Sequence, residues 1–520
     1  VFMLELIKKN IHMNCWKGGA VTQITLDDDF IVPDTMDDVD QILLDSGEIV
    51  VESIKNQGEK AAVRGKLEFR ILYRKPSGGL QSMGGSIAFD EPVQVPGLEE
   101  NDDIQLNWEL EDLDVNAINS RKLGVRAIVT LEIKAETIKE TEAAVGVNTG
   151  DTPVEVLQKN STAASMAVRR KDTYRIKETL ELPGNKPNIS QILWDEMKLQ
   201  SVSIRPDEGK MLLEGELSVF LIYQGEGEDV SFQCMEENIP FRGELDLSEA
   251  SSDMIPFVSM HLIHREVEPK PDYDGEMREL EVDAVVELDM KLYKEEPIQL
   301  LGDMYSTREE ISLQMGEVCF NRILTQNLGR CRLAEKVSMD SGERILQICH
   351  SEGSVKVDET QVKEDGLEVE GILDVKLLYL TAEDDQPVQS SRQFLPFHYV
   401  IEAPGIDQDT ICRLVPGLEQ LSAVMLGGGK VEIKAVISLD LLAFQPVCES
   451  VVLNAQESPL DLKKLQQMPG IVGYIVQPGD SLWKIARRFH TTVDTVKETN
   501  GLTDDLIHPG DRLILIKELA

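Results

Sequence analysis

A few residue groups in this chain have the type and spacing to suggest chemistry. Gly427-Gly428-Gly429-Lys430 looks like a phosphate cradle, with glycine amides to wrap an anion and a lysine to neutralise it. The GxxxxGK[ST] pattern such a loop requires is absent, and the run falls between two strand-like blocks, so it reads as a hairpin turn. His261 and His264 lie three apart in a strand-like run, hence on opposite faces, and make a poor metal pair. The seven cysteines (Cys15, Cys234, Cys319, Cys331, Cys349, Cys412 and Cys448) include no CxxC pair. Such an odd, scattered set suits reduced, mostly buried thiols and no zinc site. The carboxylate runs Asp27-Asp28-Asp29 and Asp384-Asp385 read as solvated loops, and no GxS nucleophile elbow occurs. No catalytic, cofactor-binding or metal-ligating residue is predicted, and the chain reads as non-enzymatic.

The sharpest local pattern runs from Gly473 to Lys517. Tyr474 to Gln477 reads as a short strand, ended by the turn residues Pro478, Gly479 and Asp480. Asp480 or Ser481 is placed to accept the free amide protons of a following helix. Leu482, Ile485, Ala486 and Phe489 recur at helical spacing as one apolar stripe. A second helix starts near Thr492, turns Val493 and Val496 inward, and stops at Asn500-Gly501. After Pro509-Gly510, Leu513 to Ile516 reads as a closing strand. The order is strand, helix, helix, strand.

With its QPGDSLWKIARRF and HPGDRL blocks, this segment resembles a LysM domain. The resemblance implies a groove that grips N-acetylglucosamine polymers such as peptidoglycan. Its walls here would be Gly479, Asp480, Ser481 and Leu482 on one side, and Leu506, Ile507, His508 and Pro509 on the other. Trp483 lies about 100° around the helix from the middle of the apolar stripe. It reads either as an interface anchor added to that groove or as core-edge packing. Arg487 and Arg488 either meet an acidic partner or are simply solvated.

The charge balance points elsewhere. There are 52 Lys and Arg against 93 Asp and Glu, a net charge of −41, although the segment after Tyr474 is nearly neutral. A field of that sign repels nucleic acid and anionic lipid, so neither is expected as a direct partner. The stretch VFMLELIKKNIHMNCW lacks the order of a signal peptide, and no apolar run approaches membrane-spanning length. The expectation is a cytoplasmic protein without membrane insertion.

Upstream, three blocks recur in constant order. Gly65, Gly215 and Gly371 each stand eight residues before Tyr73, Tyr223 or Tyr379. A proline-centred block follows, at Glu91-Pro92, Ile239-Pro240-Phe241 and Leu395-Pro396-Phe397. A third block opens at Ala127, Ala284 and Ala435. Three copies of one domain are implied, at a period too long for a solenoid, so they read as separate beads. Each bead is β-rich, sandwich- or barrel-like, with a short helical turn expected at Asp37 to Leu43 and at Asn188 to Leu193. Residues 1–140, 168–300 and 312–447 are read as the repeats, 141–167 and 448–472 as linkers, and 473–520 as the terminal domain. The overall class is mainly β and multidomain, closed by a small βααβ unit.

The run LPGNKPNISQILW, LLEGELSVFLIY, ENIPFRGELDL and VDAVVELDMKL in the second repeat resembles the SPOCS domain (sporulation, coat-associated) of endospore-forming Firmicutes. Repeat one departs in lacking a clear IPF block, and repeat three has a divergent opening. SPOCS repeats followed by one LysM domain resemble a family of clostridial spore coat morphogenetic proteins. That implies a scaffold on the mother-cell side at the forespore surface. Its implied partner is the coat-basement ATPase, stage IV sporulation protein A, bound through the LysM domain, with other coat proteins on the repeats. The alternative is a peptidoglycan-binding protein of the spore cortex or wall.

Overall fold

The computed structural model describes residues 4–149, 153–227, 232–339, 345–382, 388–460 and 469–517. Each repeat contributes six antiparallel strands. Repeat one holds β1 (Glu5–Ile31), β2 (Gln41–Asn56), β3 (Lys60–Arg74), β4 (Leu80–Gln94), β5 (Asp103–Asn119) and β6 (Lys122–Asn148). Repeat two holds β7 (Val154–Glu181), β8 (Ile189–Asp207), β9 (Lys210–Gly225), β10 (Phe232–Asp246), β11 (Ile255–Pro271) and β12 (Met277–Ser306). Repeat three holds β13 (Glu309–Ser338), β14 (Ile345–Lys363), β15 (Gly366–Thr381), β16 (Val388–Glu402), β17 (Ile411–Gly427) and β18 (Lys430–Pro459).

In each repeat the second, third and fourth strands form one three-stranded sheet around the third, and the first, sixth and fifth form another around the sixth. The two sheets face each other. In repeat one, Val63, Leu67, Phe69 and Ile71 of β3 share a core with Val125, Ala127, Val129, Leu131 and Ile133 of β6. The repeat is therefore a sandwich of two small sheets. The helical turns expected at Asp37 to Leu43 and Asn188 to Leu193 do not form, because β2 and β8 begin there. Asp27 to Asp29 lie on β1 rather than in a loop, and Lys122 pairs with Asp29 at 2.6 Å. Gly427, Gly428 and Gly429 all have positive φ and make the hairpin between β17 and β18. Asp384 and Asp385 lie outside the described residues.

The recurring glycine has a steric cause. Gly65, Gly215 and Gly371 sit in register with Phe89, Phe241 and Phe397 on the neighbouring strand. A Cβ added to any of them would lie 2.8 or 2.9 Å from the Phe Cζ, so the ring lies over the glycine. This corrects the alignment of the middle block. The match to Ile239-Pro240-Phe241 is Ile87-Ala88-Phe89, not Glu91-Pro92, and repeat one keeps the phenylalanine while losing the proline.

The repeats are not separate beads. Leu72, Ile222 and Leu378, whose side chains leave their own sandwich, meet Leu43, Leu193, Trp194 and Phe220 in a cluster shared by all three. Equivalent residues on the central strands close a ring. Arg70 pairs with Asp195 of repeat two at 2.7 Å, Phe220 stacks on His350 of repeat three, and Lys376 returns to Asp45 of repeat one at 2.8 Å. Where the sandwiches converge, Glu136, Lys291 and Arg413 supply one buried ionic side chain from each repeat. Lys291 lies 2.8 Å and Arg413 3.5 Å from the Glu136 carboxylate. Arg413 also donates to the Tyr293 hydroxyl at 2.6 Å. Burial pushes the Lys291 ammonium below its ordinary value, against the pull of Glu136.

Beyond this cluster the first and last strands of each repeat continue as two-stranded ribbons. These pack Ile11, Ala143, Ala163, Ile298, Leu300, Val318, Phe320 and Val451 into one core. Residues 141–148 and 154–167 are therefore strand rather than linker, and so are residues 448–459. Cys319 and Cys448 face each other across β13 and β18 and are joined as a disulfide. This corrects the expectation of uniformly reduced thiols. The two lie 129 residues apart, so no local spacing announces the pair.

Candidate functional site

The terminal unit comprises β19 (Ile471–Ile475), α1 (Leu482–Arg488), α2 (Val493–Asn500) and β20 (Arg512–Ile516), with β19 and β20 antiparallel. Ser481 caps α1 by accepting from the Lys484 amide, and Thr492 caps α2 by accepting from the Thr495 amide. Gly501 ends α2 in the left-handed conformation. Val476, Leu482, Ile485, Ala486, Val496, Leu513 and Leu515 form the core.

The two Pro-Gly-Asp blocks fold into matching turns. The Gln477 amide donates to Asp480 Oδ2 at 2.8 Å, and the His508 amide donates to Asp511 Oδ2 at 2.7 Å. Gly479 and Gly510 both take positive φ, which lets each chain reverse direction. Val476 locks the turns side by side, donating to the Asp511 carbonyl and accepting from the Gly510 amide. The Gln477 amide and the Tyr474 hydroxyl hold the Asp480 carboxyl below its usual value.

The expected groove residues separate by role. Gly479, Leu506, His508 and Pro509 are exposed, and Leu506 is 68 % accessible. Asp480 and Ser481 are spent on the turn and the helix cap. Leu482 is buried in the core, and Ile507 packs against that core while staying partly exposed.

Trp483 and Arg487 face the chain's own body instead of the groove. The Trp483 indole donates to Asp303 Oδ2 at 2.8 Å, and Arg487 donates to both oxygens of the same carboxylate at 2.8 Å. Tyr305 meets the indole edge-on at 4.9 Å, donates to the Thr491 carbonyl at 2.9 Å, and belongs to the terminal unit's core. The tryptophan is thus an anchor, and its partner is the end of β12. Sequence reasoning missed Asp303 and Tyr305, whose nearest signal was the unpaired cation-aromatic face of α1.

Among the described residues, the outer face of the β19–β20 sheet is apolar and exposed. Ile471, Ile475, Ile514 and Ile516 alternate along β19 and β20 and are 68, 55, 50 and 39 % exposed. Elsewhere, Glu368, Glu370 and His398 come close enough to share an ion, but His398 and Lys363 each already sit 2.8 Å from the Glu368 carboxylate. The equivalents of Glu370 and His398 in repeat one are Arg64 and Asp90, a surface ion pair. A cavity of about 310 Å³ between repeats two and three is lined by Met197, Lys198, His261, Leu418 and Glu419. Its ionic groups are already engaged, Lys198 with Glu196 and Glu352 and Glu419 with Arg330. Among the described residues no helix is long and apolar enough to cross a membrane.

Comparison with known proteins agrees with this architecture. The family model described as "SipL, SPOCS domain" matches residues 38–118, 188–270 and 344–426, and the LysM domain model matches residues 474–515. Each SPOCS match runs from the second to the fifth strand of a repeat, across both sheets. The LysM segment is 48 % identical over 46 residues to a Listeria monocytogenes protein described as "Probable endopeptidase p60". It is 43 % identical over 37 residues to a Staphylococcus aureus protein described as "Probable autolysin SsaALP". These matches cover 9 and 7 % of this chain and only 10 and 14 % of the relatives. No solved structure matches the chain. Neither SPOCS nor LysM is a catalytic domain type. With more than half of its residues inside these matches, three SPOCS domains followed by one LysM domain, the chain belongs to the SipL-like SPOCS family.

Proposed function

We propose that the chain is a non-enzymatic scaffold of endospore coat assembly, acting on the mother-cell side at the forespore surface. Its LysM domain docks a protein, for which family resemblance supplies the coat-basement ATPase, stage IV sporulation protein A. The SPOCS block offers surfaces for other coat proteins. The observation that carries this reading is the isoleucine face of β19 and β20. Strands that are apolar at both phases are normally covered on both sides. Among the described residues, IVGYI and RLILI are covered on one side alone. Apolar patches of a few hundred Å² mark interaction surfaces. The test is capture of the purified ATPase by the full chain and by an Ile475→Glu/Ile514→Glu variant. Capture should fall at least tenfold with an unchanged circular dichroism spectrum, and undiminished capture would defeat the reading.

A second reading, peptidoglycan binding, is favoured by the paired turns, which keep Gly479, Leu506, His508 and Pro509 exposed. It predicts that the full chain sediments with insoluble peptidoglycan and that Leu506→Asp abolishes this, while the isoleucine variant does not.

A further inference from the structure

The ring has three equivalent seams, and one differs in chemistry. In each repeat the strand opening the first sheet bulges at the same place, leaving Leu43, Leu193 or Cys349 out of the ladder. A bulge aims its extra side chain away from the strand's own pairing, and all three of these point into the cluster at the seams. On the far strand of the same sheet, Ser82, Cys234 and Ser390 occupy equivalent register positions, opposite Leu72, Ile222 and Leu378. Each far strand borders the bulged strand of the next repeat. By this equivalence two seams match Ser82 with Leu193 and Ser390 with Leu43, whereas the seam from repeat two to repeat three matches Cys234 with Cys349. At this seam Phe220, stacked on His350, stands at the central-strand position that Arg70 and Lys376 fill with ion-pairing side chains at the other two.

We propose that Cys234 and Cys349 are an oxidation site, a disulfide staple that closes between repeats two and three on reaction with a peroxide. Both are free, half-buried thiols in hydrogen-bond contact. The hydrogen bond from Cys234 lowers the Cys349 thiol, burial opposes this, and Lys186 assists it. Lys186 is held nearby, donating to the Cys234 carbonyl at 2.9 Å. In the proposed reaction Cys349 supplies the thiolate and Cys234 is the resolving thiol. The Cys349 thiolate attacks one peroxide oxygen, the O–O bond breaks, and a sulfenic acid and hydroxide form. The Cys234 sulfur then attacks the sulfenic sulfur, the S–O bond breaks, and the second hydroxide leaves. The two thiol protons convert both hydroxides to water, so two thiols are oxidised as one hydrogen peroxide is reduced.

The test treats the full chain with hydrogen peroxide and maps its peptides without reduction. The expected product is a Cys234–Cys349 linked peptide, with a melting temperature several degrees above that of the untreated protein. Cys234→Ser and Cys349→Leu borrow the residues of the equivalent seams and should fold. Neither variant should gain stability, and in Cys234→Ser a sulfenic acid at Cys349 should be trapped by dimedone. In the unmodified sequence, iodoacetamide should alkylate Cys349 about tenfold faster than Cys331 or Cys412. Oxidation without the linked peptide, or equal alkylation rates, overturns the proposal.

Discussion

The contacts that unite the three sandwiches and the contact that seats the LysM domain follow opposite designs. Inside the block, charge is enclosed: Glu136, Lys291 and Arg413 keep at most 6 % of their side-chain surface accessible. At the LysM seat, Asp303 is shared by two donors while Arg487 stays 42 % exposed. Buried ion pairs add little net stability over apolar packing, yet removing one partner is very costly. Partly exposed ones are softer and screened by salt. The block is therefore built to melt as one body, and the LysM domain to be released without melting it.

The strongest way to break this contrast is Glu136→Ala, which strands Lys291 and Arg413 in the interior. The expected loss is about 3–5 kcal/mol, seen as a lower melting temperature for all three repeats in a single calorimetric transition. Separate transitions for each repeat would show that they are beads after all.

Acid should next probe a seam of the ring. Burial alone would raise the Glu196 carboxyl, but Lys198 and a hydrogen bond from His350 hold it at about 2. A depressed folded value means that the stabilisation is complete above the unfolded value near 4.5 and fades as pH falls toward 2. Glu196→Gln should cost on the order of 2–3 kcal/mol at pH 7, and that difference should vanish in urea melts repeated toward pH 2. A penalty independent of pH would mean that the side chain acts through packing.

What could be read from the sequence divides along the same line. The LysM elements, their caps and the glycine hairpin follow from residues within one turn of each other, and so were legible. The ring was not, because Arg70 and Asp195, or Lys376 and Asp45, are joined only after each sandwich has folded. One trace was present: RILY, FLIY and KLLY break the alternation expected of a strand with one buried face. The extra apolar residues Leu72, Ile222 and Leu378 are buried against neighbouring repeats. In the LysM domain, the groove positions Gly479 and Leu506 came from resemblance, and the structure leaves both exposed. Leu482 lies in the core, as its place in the apolar stripe indicates, and the anchor reading of Trp483 could not name its partner, which lies 180 residues upstream.

At the LysM seat, Asp303→Ala removes the acceptor for both Trp483 and Arg487. The expected cost is about 2 kcal/mol, borne by docking alone. Hydrogen–deuterium exchange should rise along α1 and around Tyr305 while the melting temperature of the block stays fixed. A matching fall in that melting temperature would erase the distinction between the two interfaces.

The smallest change separates polar from aromatic anchoring at that seat. Trp483→Phe keeps a ring against Tyr305 but loses the indole N–H, leaving Arg487 to satisfy Asp303. Because the carboxylate keeps a charged donor, the loss should be about 1 kcal/mol, roughly half that of Asp303→Ala. Trp483→Glu places a second carboxylate beside Asp303 and should undock the domain further than either. If Trp483→Phe instead matches Asp303→Ala in exchange rate, the indole hydrogen bond dominates the seat and Arg487 contributes nothing measurable, as many exposed ion pairs do.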